Sequence, residues 1–100
     1  MEKGEPQVVF TPKASESIDQ IVIYIEEKGY PNTAQIFADR LYQFGQSLSL
    51  LPDKYPICRF IQFAKYGYHC AVFEHNYVFI YKHTGEYCII LNVIHTKRLK

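Results

Sequence analysis

The chain has 100 residues, 48% of them hydrophobic, and a formal net charge of +1. That is enough for one domain with one core. It excludes a membrane span, since no stretch approaches the ~20 apolar residues one requires, and the charged start MEKGEPQ lacks a signal-peptide core. The three cysteines, Cys58, Cys70 and Cys88, lie in apolar runs without Cys-x-x-Cys spacing. They are expected to be free, packed thiols in a cytoplasmic protein, with no metal centre and no cofactor.

Charge is unevenly spread. Residues 1–50 balance to −3, residues 51–100 to +4, and all four histidines (His69, His75, His83, His95) fall in the basic half. An anionic partner for that half is the natural reading.

The opening residues are polar and expected to fray. Gln7–Phe10 reads as a short strand. Thr11-Pro12 then opens a helix, the threonine as cap and the proline at the first helical position, where its missing N–H costs nothing. Ile18, Ile21, Val22 and Ile25 form an apolar stripe at helical spacing. Gly29 ends the helix, and Tyr30-Pro31 blocks its continuation. Asn32, with Gln35 three residues on, suggests a capping box opening a second helix. Its period runs through Phe37, Leu41, Phe44 and Leu48 to Pro52, with Ala38 and Gly45 small enough to admit another backbone. The short connection makes the pair an antiparallel hairpin.

From Ile57 the period turns strand-like. Ile57–Phe63, Tyr68–Phe73, Tyr77–Tyr81 and Tyr87–Ile94 read as four strands of an antiparallel meander, with turns at 64–67, at Glu74-His75-Asn76 and at Thr84-Gly85. Gly85 is expected to supply the freedom of the last turn. Tyr87–Ile94 is apolar at both parities, so it belongs in the centre of the sheet, covered on both faces. It runs straight into His95-Thr96-Lys97-Arg98. Helices first and strands after give an α+β fold, a helical hairpin packed on a four-stranded sheet.

This order of elements resembles the RelE/ParE superfamily of bacterial type II toxin–antitoxin toxins. The residues that carry the resemblance are Pro12-Lys13-Ala14 with Ile18-Asp19-x-Ile21 and Tyr24-Ile25, and Ala34-x-x-Phe37-x-x-x-Leu41 down to Leu51-Pro52. Asn76–Lys82 and Ile89-x-Leu91-x-Val93-Ile94-His95-Thr96-Lys97-Arg98 complete it. The resemblance implies a growth-inhibiting protein silenced by a cognate antitoxin. It also implies one of two targets: ribosome-bound mRNA, which RelE-like members cut, or DNA gyrase, which ParE-like members block without catalysis.

Cleavage of RNA through its 2′-hydroxyl needs a base, an acid and cations around the phosphate. The family's cationic positions match Arg59, Lys97 and Arg98, with Lys82 beside them. His95 and His83 are the side chains suited to proton transfer, and Tyr81 or Tyr87 suits stacking on a base. His69 and His75 read as ordinary strand and turn residues. RelE-like nucleases usually carry a further catalytic side chain beyond the final strand, whereas this sequence ends at Lys100, a ParE-like feature. The collection of His, Arg and Lys in the second half inclines the reading to ribosome-dependent mRNA cleavage, with gyrase poisoning as the alternative and an inactive antitoxin-binding relative as a third.

Overall fold

The computed structural model describes residues 6–98; the polar opening residues and Lys100 of the basic end lie outside them. Strand β1 (Gln7–Phe10) leads into helix α1 (Pro12–Glu27) and helix α2 (Pro31–Ser47). A 3₁₀ turn at Pro52–Lys54 and a one-turn helix α3 (Ile61–Ala64) precede strands β2 (His69–Phe73), β3 (Tyr77–His83) and β4 (Tyr87–His95), and a 3₁₀ turn Thr96–Arg98 follows. The sheet order is β1-β4-β3-β2.

Both helix boundaries follow local chemistry. Thr11 caps α1, its hydroxyl accepting from the Ala14 amide at 3.1 Å, with Pro12 in the first turn. Gly29 leaves the helix at φ 93°, a backbone that costs glycine least. The second start differs from expectation. Proline at the first turn of α2 makes Tyr30 the cap, with no side-chain hydrogen bond, and Gln35 donates to Asp39 instead. Helix α2 also ends at Ser47, before Pro52.

Two corrections concern the sheet. It is mixed, because β1 pairs in parallel with β4 while β2, β3 and β4 form an antiparallel meander. The stretch 57–63 is not a strand; Ile57 makes one isolated bridge to His69 and the chain then turns into α3. Its apolar side chains serve a different purpose. Phe60 and Phe63 cover the second face of the sheet, over Val78 and Ile80, together with Tyr68, Leu91 and Ile94. The main core lies on the other face, where Ala14, Ile18, Leu41 and Leu48 of the helical side meet Ala71, Phe79, Tyr81, Ile90 and Val93 of the sheet. Strand β4 is therefore central and covered twice, as its double apolar parity requires.

The cysteines need a third correction. Cys58 and Cys70 are joined in a disulfide, and only Cys88 is a free, buried thiol. The bond ties the loop before α3 to the edge strand β2. Paired spacing gave no sign of it, since the partners are 12 residues apart and are brought together only when the chain doubles back. At the Thr84-Gly85 turn the hydroxyl of Thr84 does the turning, accepting from the amides of Glu86 and Tyr87 at 3.1 and 3.0 Å, and Gly85 is not among the residues with positive φ. The left-handed backbone falls instead at Glu74 (φ 51°) and His75 (φ 65°) in the preceding turn.

One irregularity positions the end of β4. Ile80 pairs with Asn92 but Tyr81 pairs with Ile90, so Leu91 is an extra residue, a β-bulge. A single inserted residue reverses the parity of everything after it. Cys88 and Ile90 before the bulge, and Val93 after it, thereby all reach the main core, and His95 follows Val93 to the helical face.

Candidate functional site

Where β4 leaves the sheet, a cleft of about 550 Å³ opens between that strand end and one face of α1. Lys13, Ser17, Gln20, Ile21 and Tyr24 line it from the helix; Tyr77, Asn92, His95, Lys97 and Arg98 line it from the sheet and the final turn. No Asp or Glu lines it. Among the described residues Lys13, Lys97 and Arg98 form no ion pair, so the cleft is a concentrated positive site suited to an anion.

The frame around these cations is well tied. The Ser17 hydroxyl donates to the side-chain oxygen of Asn92 at 2.7 Å, which also accepts from the Val93 amide at 2.8 Å. The Thr96 amide donates to the Asn76 carbonyl at 2.8 Å, anchoring the final turn to the start of β3. His95 lies opposite Tyr77 in the ladder, the two rings edge-to-face at 5.1 Å. The Lys97 amide donates to His95 Nδ1 at 3.1 Å; in the neutral ring the proton is therefore on Nε2. Burial, and secondarily Tyr24, pushes the Tyr77 phenol above its ordinary 10.0. Tyr77 thus stays protonated at neutral pH and is no base there.

The structure brings together three of the residues singled out in the sequence: His95, Lys97 and Arg98. The others lie apart. His83 ends β3 opposite Cys88, six residues along the strand from Tyr77, a separation of about 20 Å at strand rise. Arg59 is exposed and follows Cys58, whose amide donates to the Tyr68 carbonyl at 2.8 Å at the start of β2, the same end of the sheet as His83. Lys82 is exposed on β3 and Tyr87, 41% exposed, begins β4, both also towards that end. Tyr81 is corrected outright as a stacking platform. It is fully buried in the core and its hydroxyl donates to the Pro52 carbonyl at 2.6 Å, so neither ring face is free for a base.

Lys13, Ser17, Tyr24, Tyr77 and Asn92 are cleft residues that sequence reasoning misses. Asn92 left a signal, as the one polar interruption in the run Ile89–Ile94. Lys13 left a weaker one within Thr-Pro-Lys-Ala. Ser17 and Tyr24 join the cleft only through the way α1 crosses β4, which no spacing rule gives.

Three comparisons with known proteins bear on this fold. A family profile described as ParE toxin of type II toxin-antitoxin system, parDE, matches residues 8–100. A solved structure titled "Chromosomal ParDE TA system from P. aeruginosa" is similar, with a TM-score of 0.77 at 14% identity, covering 91% of this chain and 96% of that one. At that identity it shows the fold alone. No curated protein matches the sequence. With the profile running from β1 through the basic end, the chain belongs to the ParE toxin family of type II toxin–antitoxin systems.

Proposed function

We propose that the chain inhibits growth as a ParE-like poison of DNA gyrase, acting by binding through the cationic cleft and held silent by a cognate antitoxin. The observation that carries this reading is the separation of the two proton-transfer candidates. His95 sits among Lys13, Lys97 and Arg98, while His83 is about 20 Å away along β3. Cleavage of a phosphodiester gains most from an acid and a base at one phosphate, and the cleft offers a single imidazole beside a phenol that burial makes a poorer proton donor than free tyrosine. A contact surface needs no such pair. It needs fixed cations and apolar area, and Ile21, Tyr24 and Tyr77 beside Lys97 and Arg98 supply both.

Ribosome-dependent mRNA cleavage is the second reading, favoured by the one imidazole that does stand among three cations. For the antitoxin, the exposed apolar side chains Ile23, Tyr24, Tyr30 and Ile36 on and between the two helices suit a segment laid along them.

The deciding experiment is inducible expression without the antitoxin, mapping mRNA 5′ ends and scoring the DNA-damage response in the same cells. Arrest with intact transcripts, a DNA-damage response and loss of supercoiling by purified gyrase is the expected result. New transcript ends inside coding regions would overturn it in favour of mRNA cleavage. Normal growth would leave an inactive antitoxin-binding relative.

A further inference from the structure

At the end of the sheet away from the cleft, Asp53, His69 and His83 each place one ligand atom within 4.8 Å of the others. We propose that these three side chains form a binding site for a divalent metal ion of the Zn²⁺ class, separate from the cationic cleft. They come from three elements: the 3₁₀ turn after α2, the first residue of β2 and the last of β3. In the ladder His69 pairs with Tyr81, two residues before His83, so both imidazoles stand on the helical face of the sheet.

The rings are already oriented. A backbone carbonyl only accepts, so the contact of His69 Nδ1 with the Tyr55 carbonyl at 2.7 Å places the ring proton on Nδ1 and leaves Nε2 with its lone pair. That arrangement of a ring N–H on a carbonyl is the usual outer support of a metal-binding histidine. The ring stacks on Tyr81 at 5.2 Å and 22°, and Tyr81 is fixed by its hydroxyl on the Pro52 carbonyl. Pro52 and Tyr55 flank Asp53, so the turn that carries the carboxylate also holds both rings.

His83 Nε2 lies 3.0 Å from Asp53 Oδ1, with the proton between them. An ion at about 2.0–2.1 Å from each atom fits that span and takes the proton's place. The widest gap among the three ligand atoms, up to 4.8 Å, has to close by up to about 1.5 Å for tetrahedral ligand spacing. The turn can give it, because Asp53 is 84% exposed. Two imidazoles and one carboxylate suit Zn²⁺, Co²⁺ or Ni²⁺ over the oxygen-seeking Mg²⁺ and Ca²⁺. Three protein ligands leave a position for water. On the opposite face the Cys58–Cys70 disulfide ties down the same segment, so a bound ion would complete a two-sided clasp of residues 52–58 on β2.

The test uses the untagged, disulfide-intact chain stripped with EDTA, titrated with ZnCl₂ by calorimetry and, separately, with Co²⁺ by visible absorption. One equivalent of Zn²⁺ is expected, with a rise in Tm of several degrees in excess metal and nitrogen-ligated Co²⁺ bands. Asp53→Asn and His83→Gln, both at or near the surface, should each abolish the equivalent while keeping the circular-dichroism spectrum. His95→Ala should keep it. Absence of a saturable equivalent in the native chain, its persistence in both variants, or its loss in His95→Ala would each overturn the site. Toxicity does not enter any of these readouts.

Discussion

The hydroxyl of Thr11 donates to the carbonyl of Leu91 at 3.1 Å while accepting from the Ala14 amide. One side chain thus caps α1 and satisfies the carbonyl of the bulged residue that turns His95 towards that helix. The Thr11 amide adds a second tie, donating to the Ile90 carbonyl at 3.1 Å. Replacing Thr11 with valine keeps the shape and removes both hydroxyl bonds. The expected loss is about 1–2 kcal/mol, or a fall in Tm of about 4–8 °C per kcal/mol for a chain this size. Thr11→Ser should recover most of it. Thermal melts of the three proteins measure this, and an unchanged valine variant would mean that the bulge is held by packing alone.

The sequence offers Gly45 as a place for a neighbouring backbone; a ring occupies it instead. A Cβ there would lie 2.5 Å from Phe10 Cζ and 3.3 Å from Phe79 Cε2. Phe10 is itself held edge-on to Tyr42 at 4.9 Å, so it has little room to withdraw. Gly45→Ala should cost about 1–3 kcal/mol by overpacking, despite the better helix propensity of alanine. Adding Phe10→Leu should return part of that loss, a coupling that a double-mutant cycle in denaturant measures.

These two sites show what the sequence carried and what it did not. The cap, the helical stripes, Gly29 and the central position of Tyr87–Ile94 were legible, because each depends on neighbours in sequence. The parallel pairing of β1 was not, since nothing local distinguishes a strand that joins β4 from one that starts a meander. Ile57–Phe63 misled because apolar, β-branched and aromatic residues serve equally well as a loop that lids a sheet face. Of the site, the cluster His95-Lys97-Arg98 is contiguous and could be read, whereas the distance of His83 and Arg59 from it follows from strand direction and needed the fold.

The disulfide is a chemical claim that thiol counting tests. Unreduced chain in denaturant should titrate one thiol, Cys88, and reduced chain three. Folded chain should react slowly at neutral pH, because Cys88 is fully buried and burial pushes its thiol up to about 11, leaving little thiolate. Replacing Cys58 and Cys70 by serine should cost roughly 2–3 kcal/mol through the freed loop. Three titratable thiols before reduction would show the bond absent.

Alkaline pH should destabilise the fold. Cys88 rises from an ordinary 9.0 to about 11 by burial, and burial, then Cys88, raises Tyr81 above its ordinary 10.0. In both, the unfolded chain loses its proton first, so stability falls as pH rises. The Cys88 contribution is intact below pH 9 and lost by about pH 11, on the order of 1–3 kcal/mol. The loss from Tyr81 begins above pH 10. Melting curves between pH 8 and 11 should show Tm falling from pH 9 onward, with a shallower fall in Cys88→Ala.

His95 separates the two toxic mechanisms by magnitude. If the cleft only binds, the imidazole contributes contact energy, and losing it costs about 1 kcal/mol, roughly fivefold in affinity. If the cleft cuts RNA, the same ring moves a proton, and its loss costs about 10²–10⁴-fold in rate. His95→Ala should therefore raise the concentration needed to inhibit gyrase supercoiling by less than about tenfold. Lys97→Ala and Arg98→Ala should each do the same by a similar factor, with the difference shrinking at high salt as exposed charges are screened. The fold is checked alongside by thermal melting, since His95 also accepts from the Lys97 amide. A hundredfold fall in transcript cleavage confined to His95→Ala, with Lys97→Ala nearly neutral and Tm unchanged, would mark the imidazole as a proton carrier and return the cleft to RNA chemistry.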